Sequence, residues 1–493
     1  MESPVVTSAQ MRAAEEAAFA RNLSSESLMD EAAAGIARAV SKFFTIPGHC
    51  LVFAGKGNNA GDAFAAAYLL REVGWTIELR CVFPEKEIGP LAREKLRTVA
   101  DTSAPVGRAP LLILDGLLGL GATPPLRGPI AKACREINHL RRTENAFVFA
   151  IDLPTGLDGD SGQTDADCVI ADFTLTIGFA KRGLVADHAL DYVGRIVRIP
   201  LTALSAPPNE SSTLADSTAL RVLLPRRNFG AYKNQFGRVG ILAGSTGLTG
   251  AAVLCASGAL RGGAGLVELF VPKNIYDVIA STAPPEVMVK PISSYASLLK
   301  EPVEVWAIGP GLGQSHAAKI LSLIKKSPRP MVIDADALNL LAKEGRSPGR
   351  PISALIKPAG PRLLTPHPGE MSRLLPAKKM TRAEHAKKLC AKYPVTLLFK
   401  GSRTLTAERD RPLSYNTTGN PGMATGGMGD ILTGACAALI AQNLIPYDAA
   451  RLAAWLCGRA AEIAIFEKGA SEESLLPTDV LKNLGPAFEN LRQ

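Results

Sequence analysis

With 493 residues the chain is too long for one hydrophobic core and predicts two domains or more. Hydrophobic residues make up 47% and charged residues 20%, as in a soluble globular protein, while no run of about 18 apolar residues offers a membrane span. Aromatics at 5% are too few for a stacking surface on single strands, and a net charge of +9 without a long basic block leaves no nucleic-acid footprint. In chain order, Met11 to Phe44 predicts two helices, with Ser24 or Ser25 capping the second. Cys50 to Ala54 predicts a strand, then a Gly/Asn loop and a helix from about Gly61 to Val73. Trp75–Phe83 (strand), Leu91–Ala100 (helix), Leu111–Asp115 (strand), Pro129–Leu140 (helix), Ala146–Asp152 (strand) and Phe173–Gly178 (strand) follow. Alternation of this kind implies a parallel sheet with helices on both faces, and ligands beyond the carboxyl ends of its strands.

Ala203 to Ser217, with Pro207-Pro208-Asn209, breaks the pattern and sets a boundary between domains at 1–205 and 215–493. The second half restarts with strand Arg238–Ala243, a Gly/Ser/Thr loop and an Ala-rich helix through Leu260. Further strands are expected at Leu266–Val271, Val305–Ile308, Met331–Ile333, Arg362–Leu364 and Thr396–Phe399, and a late buried helix at Thr425–Ala441. It forms a second α/β unit, larger than the first and without a repeat relation to it. Eight cysteines stand singly, with no CxxC, which fits reduced, mostly buried thiols in a cytoplasmic protein better than disulfides or zinc. Met1 to Arg21 carries early acids and no continuous apolar core, so no signal peptide is expected. The scattered basic residues fit a solvated surface, and equally a face for acidic ligands such as nucleotides.

The most informative stretch is Asn416 to Asp430, which ends Gly-Met-Gly-Asp and runs into the apolar segment Ile431–Ala441. Small residues at a helix N-terminus admit a phosphate to backbone N–H groups, and Asp430 in the first turn can take a proton from an attacking hydroxyl. A Gly-rich turn capped by Asp is the plain alternative. In the first half, Gly55-Lys56-Gly57-Asn58-Asn59-Ala60-Gly61-Asp62 follows a strand but is not GxGxxG. Its Asn carbonyls suit a hard cation or a ribose. Asp115 ends one strand before Gly116–Gly121, and Asp152 another before Leu153-Pro154-Thr155-Gly156, so these oxygens converge at one sheet edge unless the two aspartates only cap turns.

These first-half residues, with Leu28-Met29-Asp30-Glu31-Ala32, resemble the NAD(P)H-hydrate epimerase domain from about Ser8 to Pro200. The resemblance implies a Rossmann-like three-layer α/β/α fold. It also implies K+ held by Asn59, Asp115 and Thr155, and a substrate loop of Asn58, Asn59, Ala60, Gly61 and Asp62. Gly119, Leu120, Gly121, Ala122 and Thr123 join that substrate site, with Asp152 as the acid/base. Ala60 and Ala63 replace glycines usual in that family, and Thr155 replaces Ser; Ala60 would be strained if its φ were positive.

From Leu214 to Gln493 the chain resembles the ADP- or ATP-dependent NAD(P)H-hydrate dehydratases, which have a ribokinase-like fold. The matching blocks include Gly244-Ser245-Thr246-Gly247, Ile308-Gly309-Pro310-Gly311-Leu312-Gly313, Asp334-Ala335-Asp336-Ala337, Thr365-Pro366-His367-Pro368-Gly369-Glu370 and Lys400-Gly401-Ser402-Arg403-Thr404. The resemblance implies that Ala251, Gly311 or Gly313, His367 and Asp430 contact the hydrated nucleotide. Lys400, Gly401, Ser402, Arg403, Thr404 and Gly429 would hold ADP or ATP, with Mg2+, and Asp430 would be the catalytic base. Asp334 and Asp336 stay open between turn capping and an indirect Mg2+ role. The expected substrates are the hydrates of NADH and NADPH (NADHX and NADPHX), and a homo-oligomer is expected. Two readings compete. An ordinary small-molecule kinase shares GxGD but not the TPHPGE and GNNAGD blocks. A non-catalytic binding module on the epimerase fold is opposed by the retained Asn59, Asp115, Asp152 and Thr155.

Overall fold

A computed structural model describes residues 3–99, 111–121, 125–208, 210–345, 351–376 and 379–493. The chain divides into two compact units, Glu2–Leu214 and Ala215–Gln493.

The first unit holds a six-stranded parallel sheet, ordered Thr76–Cys81, His49–Ala54, Leu111–Gly116, Phe147–Ile151, Phe173–Ile177 and Arg195–Ile199. Side chains alternate across it. Leu51, Phe53, Ile113, Val148 and Ala150 share a buried cluster with Ile130, Cys134 and Ile137 of helix Gly128–Thr143. The opposite face carries Phe149 stacked on Phe173 (centroids 4.4 Å apart), which meets Phe43 of helix Ser25–Phe43 at 4.6 Å. Three layers result. Ser24 caps that helix, its side chain accepting from Ser27 N. The strand order reverses between His49–Ala54 and Leu111–Gly116, and a ligand crevice is expected at such a switch point. Strand Ser3–Val6 pairs in parallel with the short strand Ala180–Lys181, Val6 opposite Lys181.

In the second unit the parallel strands are ordered Val287–Pro291, Leu266–Val271, Arg238–Leu242, Val305–Ile308, Met331–Ile333, Arg362–Leu364 and Thr396–Phe399. The antiparallel strands Leu405–Ala407 and Leu413–Asn416 extend the sheet. Its switch point lies between Arg238–Leu242 and Val305–Ile308. One face (Val239, Ile241, Val305, Ala307, Val332, Leu363, Leu398) packs on small and apolar residues of helices Thr249–Arg261, Met428–Ala441 and Pro446–Glu462. Alanines and glycines let the first two approach closely: a methyl at Gly434 would sit 2.0 Å from Cys255 O. Among the described residues no helix is long and apolar enough to cross a membrane. None of the eight cysteines is in a disulfide, and all but Cys81 are buried.

Several expected boundaries shift by one to three residues, and two of the shifts bear on the sites. The first-half helix spans Asn58–Glu72, so Asn58 to Gly61 form its first turn rather than a loop. The late helix begins at Met428, not Thr425, because Gly427 takes φ +94°, a left-handed conformation that suits glycine, immediately before it.

Candidate active sites

In the first unit the loops after the two switch-point strands meet. Asp115 is fully buried and accepts from Thr155 Oγ1 (2.7 Å), Thr155 N (2.9 Å) and Leu117 N (3.3 Å). Burial outweighs these bonds and pushes its carboxyl up to about 6. Thr155 Oγ1 also accepts from Leu118 N at 3.2 Å. Asn59 is 9% exposed, and a methyl at Gly119 would lie 3.1 Å from its Oδ1, so a side chain there would press on the amide. Asn59 Nδ2 is buried and makes no hydrogen bond. Carboxylate, hydroxyl and amide oxygens thus gather as a hard donor set, which fits a monovalent cation. Asn58 beside it is exposed.

Asp115 thus does cap its turn through Leu117 N, two residues on, whereas Asp152 is no turn cap. It sits at φ +67°, a conformation Asp tolerates, and accepts from Leu120 N (3.2 Å) and Ile177 N (3.4 Å). Its Oδ1 is ion-paired with Lys181, which is 1% exposed and also donates to Ile177 O at 2.9 Å. The sequence offered no sign of Lys181, one basic residue among 55. Helix Ser8–Phe19 adds Glu15, whose carboxyl is raised by burial although Lys181 pulls it down. Burial, then the charges of Asp152 and Glu15, push Asp62 well above the usual range. Leu120 and Gly121 stand beside these groups, Arg12 Nη2 lying 3.1 Å from where a methyl at Gly121 would be. Ala122 and Thr123 fall outside the described residues.

Ala60 is helical and absent from the positive-φ positions, so its methyl carries no backbone strain. Ala63 packs against Gly116, where an added methyl would meet it at 2.5 Å. Neither replacement distorts the loop.

In the second unit, Asp430 lies in the first turn of helix Met428–Ala441, beside the open N-terminus left by Gly427. Burial and then the nearby Asp334 charge push its carboxyl up to about 7, against the pull of Lys400. Lys400 Nζ is 2.6 Å from Asp334 Oδ1 and 3.9 Å from Glu370 Oε2, and 3.2 Å from where a methyl at Gly429 would be. It is therefore tethered rather than a free charge. Gly401 (φ +145°) and Arg403 (φ +54°) turn the loop, and Thr404 Oγ1 donates to Gly401 O at 3.0 Å. Arg382, which sequence reasoning missed, clamps it by donating to Ser402 O (2.7 Å) and Arg403 O (3.2 Å).

Ala251 and Gly311 are brought together: a methyl at Gly311 would be 3.0 Å from Ala251 Cβ. Ser245 Oγ donates to Gly311 O at 2.8 Å, and Gly313 N donates to Asp336 Oδ2 at 2.9 Å. His367 caps helix Pro368–Leu374: its Nδ1 accepts from Gly369 N at 3.1 Å, while Glu370 Oε2 accepts from His367 N at 2.9 Å. Its ring remains half exposed. The turn-capping reading of Asp334 fails, because its side chain makes no bond to the helix it precedes.

A family model described as NAD(P)H-hydrate dehydratase matches residues 239–485, and one described as YjeF-related protein N-terminus matches residues 25–183. The bifunctional NAD(P)H-hydrate repair enzyme Nnr of Moorella thermoacetica is 34% identical over 505 aligned positions, covering 94% of this chain and 93% of that protein. The Escherichia coli protein of the same name is 34% identical, over 88% of this chain and 84% of its own. A solved ADP/ATP-dependent NAD(P)H-hydrate dehydratase from Bacillus subtilis, co-crystallized with ATP/Mg2+, is 29% identical and covers 56% of this chain and 98% of that one, at a TM-score of 0.48. The sites and folds together define an α/β enzyme of nucleotide chemistry. The chain belongs to the family of bifunctional NAD(P)H-hydrate repair enzymes, an epimerase joined to a dehydratase.

Proposed function

We propose that residues 1–205 form the epimerase domain, interconverting the R and S hydrates of NADH and NADPH, and that the ribokinase-like domain 215–493 dehydrates the S form at the expense of ADP or ATP. The observation that carries the reading is Asp430: a partly buried carboxylate, raised to about 7, in the first turn of a helix whose N-terminus is open to an anion.

In the dehydration, Asp430 takes the proton of the C6 hydroxyl, and that oxygen attacks the terminal phosphoryl group. Backbone N–H groups of the Gly426–Asp430 turn, with Lys400, stabilise the charge that develops. The C6–O bond then breaks, driven by the ring nitrogen lone pair, and phosphate leaves. Loss of the C5 proton regenerates the dihydronicotinamide, so ADP yields AMP and phosphate, and ATP yields ADP and phosphate. Ala251, Gly311, Gly313 and His367 line the hydrate; Gly401, Ser402, Arg403, Thr404 and Gly429 face the nucleotide. Mg2+ would come bound to the nucleotide phosphates, as is usual for this ion in phosphoryl transfer. When bound, Mg2+ neutralises phosphate charge.

In the epimerase domain, Asp152 exchanges a proton with the C6 hydroxyl; the ring nitrogen expels water, and re-addition on either face scrambles the centre. Asn58 to Asp62 and Gly119 to Thr123 hold the substrate. K+ would be held by Asn59, Asp115 and Thr155, supplying a fixed positive charge beside the substrate oxygens. We place the enzyme in the cytoplasm as a homo-oligomer, with no nucleic-acid or membrane partner.

The test presents mixed R and S hydrates of NADH, with Mg2+ and K+, and ADP, ATP or no nucleotide, and follows the dihydronicotinamide absorbance. Complete recovery is expected, faster than spontaneous epimerisation allows, with the late R-derived part slowed when K+ is withheld. Recovery that stalls at the S fraction refutes the epimerase assignment. Absence of any nucleotide-dependent recovery refutes the dehydratase one and leaves a small-molecule kinase in its place.

A further inference from the structure

Asp334 follows strand Met331–Ile333, and its carboxylate is 1% exposed. Oδ1 accepts from Lys400 Nζ at 2.6 Å and Oδ2 from Thr433 Oγ1 at 2.8 Å. Thr433 is fully buried and lies three residues beyond Asp430, hence on the same helix face. A side chain at Gly429 would begin 3.2 Å from Lys400 Nζ and 3.7 Å from Asp334 Oδ2, so this ion pair lies against the backbone that presents Asp430. The next residue, Ala335, takes φ +48°, which an alanine adopts only when its surroundings enforce it. That turn delivers Asp336 to Gly313 N at 2.9 Å. One short segment therefore ties the Lys400 loop, the Asp430 helix and the Gly313 turn together.

We propose that Asp334 is a positioning residue for the dehydration: its buried carboxylate fixes Lys400 and the Asp430 helix in one arrangement. Its negative charge beside Asp430 also favours the protonated carboxyl there. The inference rests on the reading of Asp430 as the proton acceptor. The charged and titratable groups facing Asp430 are Asp334, Lys400 and, from helix Thr249–Arg261, Cys255, which burial keeps as a neutral thiol. Of the two charges, Asp334 acts more strongly than Lys400.

The experiment is the pH profile of kcat for dehydration of the S hydrate at saturating ADP, in the full-length enzyme. The wild type is expected to lose rate as pH falls through about 7. Asp334→Asn should move that limb toward lower pH by about one unit and lower the plateau, as removal of a neighbouring negative charge weakens the base. Thr433→Val, which keeps both charges, should leave the limb in place. An Asp334→Asn limb that coincides with the wild type overturns the proposal. Should Asp334→Asn fail to fold because Lys400 loses its nearest counter-charge, Asp334→Asn/Lys400→Met removes both charges, and its limb should still move downward; an unmoved or raised limb is the overturning result. A wild type without nucleotide-driven dehydration would refute the underlying functional reading instead.

Discussion

Asp430→Asn is expected to lower kcat for nucleotide-driven dehydration by about 100- to 10,000-fold, the usual worth of a general base, while epimerisation continues at the wild-type rate. The amide is nearly isosteric, so the helix N-terminus and the nucleotide contacts should persist, and KM for ADP should change little. The mixed-hydrate assay then gives a diagnostic outcome: the R and S populations equilibrate, yet no dihydronicotinamide returns. The same substitution should stabilise the protein, and the sign follows from the raised carboxyl. Folding lifts Asp430 from an ordinary 3.8 to about 7, so the native state must hold a reluctant anion above that pH. Below about 4 both states are protonated and no penalty exists. It grows between about 4 and 7 and is complete above 7. Asp430→Asn should therefore raise the melting temperature most at pH 8 and not at all at pH 3.5. Retention of dehydratase activity, or a stability gain that grows toward acid, would contradict the assignment.

Lys181→Met should be the most damaging single change to the epimerase unit. It leaves Asp152, 8% exposed and at φ +67°, as a buried carboxylate without its charge partner. Breaking such a pair from one side typically costs about 3–5 kcal/mol, on the order of 10 °C in melting temperature for a unit of this size. Epimerisation should fall as well, because Lys181 fixes the rotamer that aims Asp152. Lys181→Met/Asp152→Asn separates the two effects: with neither charge present most stability should return, whereas epimerisation should not. A double variant that epimerises normally would remove both residues from the chemistry. Melting curves of the unit and the rate of R to S conversion, read by chromatography without nucleotide, measure the two quantities.

Why Lys181 escaped notice marks the limit of reading one chain. Strands such as Leu266–Val271, Val305–Ile308 and Met331–Ile333 were legible because they are short apolar runs bounded by turns, as central parallel strands must be. The strand Arg195–Ile199 was not, since its arginines interrupt the run; Arg195 instead lays its guanidinium over the Phe43 ring at 4.6 Å. The short antiparallel strands Leu405–Ala407 and Leu413–Asn416 carry too few residues for a period to show. Site residues at strand ends, Asp115 and Asp152, could be located because Gly-rich loops follow them. Pairings could not: Asp334 meets Lys400 and Thr433 across 66 and 99 positions, and nothing local to any of the three announces it. The helix opening at Asn58 was hidden because Asn favours turns, although it is well tolerated in a first turn.

The burial of seven cysteines bears on how the enzyme would withstand chemical insult. Electrophiles and peroxides attack thiolates, and burial pushes the Cys50, Cys390 and Cys457 thiols up to about 12 and raises those of Cys134, Cys168, Cys255 and Cys436 too. Burial thereby shields these seven thiols from electrophiles and peroxides. Maleimide should modify the native protein once, at the exposed Cys81, giving a single mass increment by intact mass spectrometry and a ready position for a fluorophore.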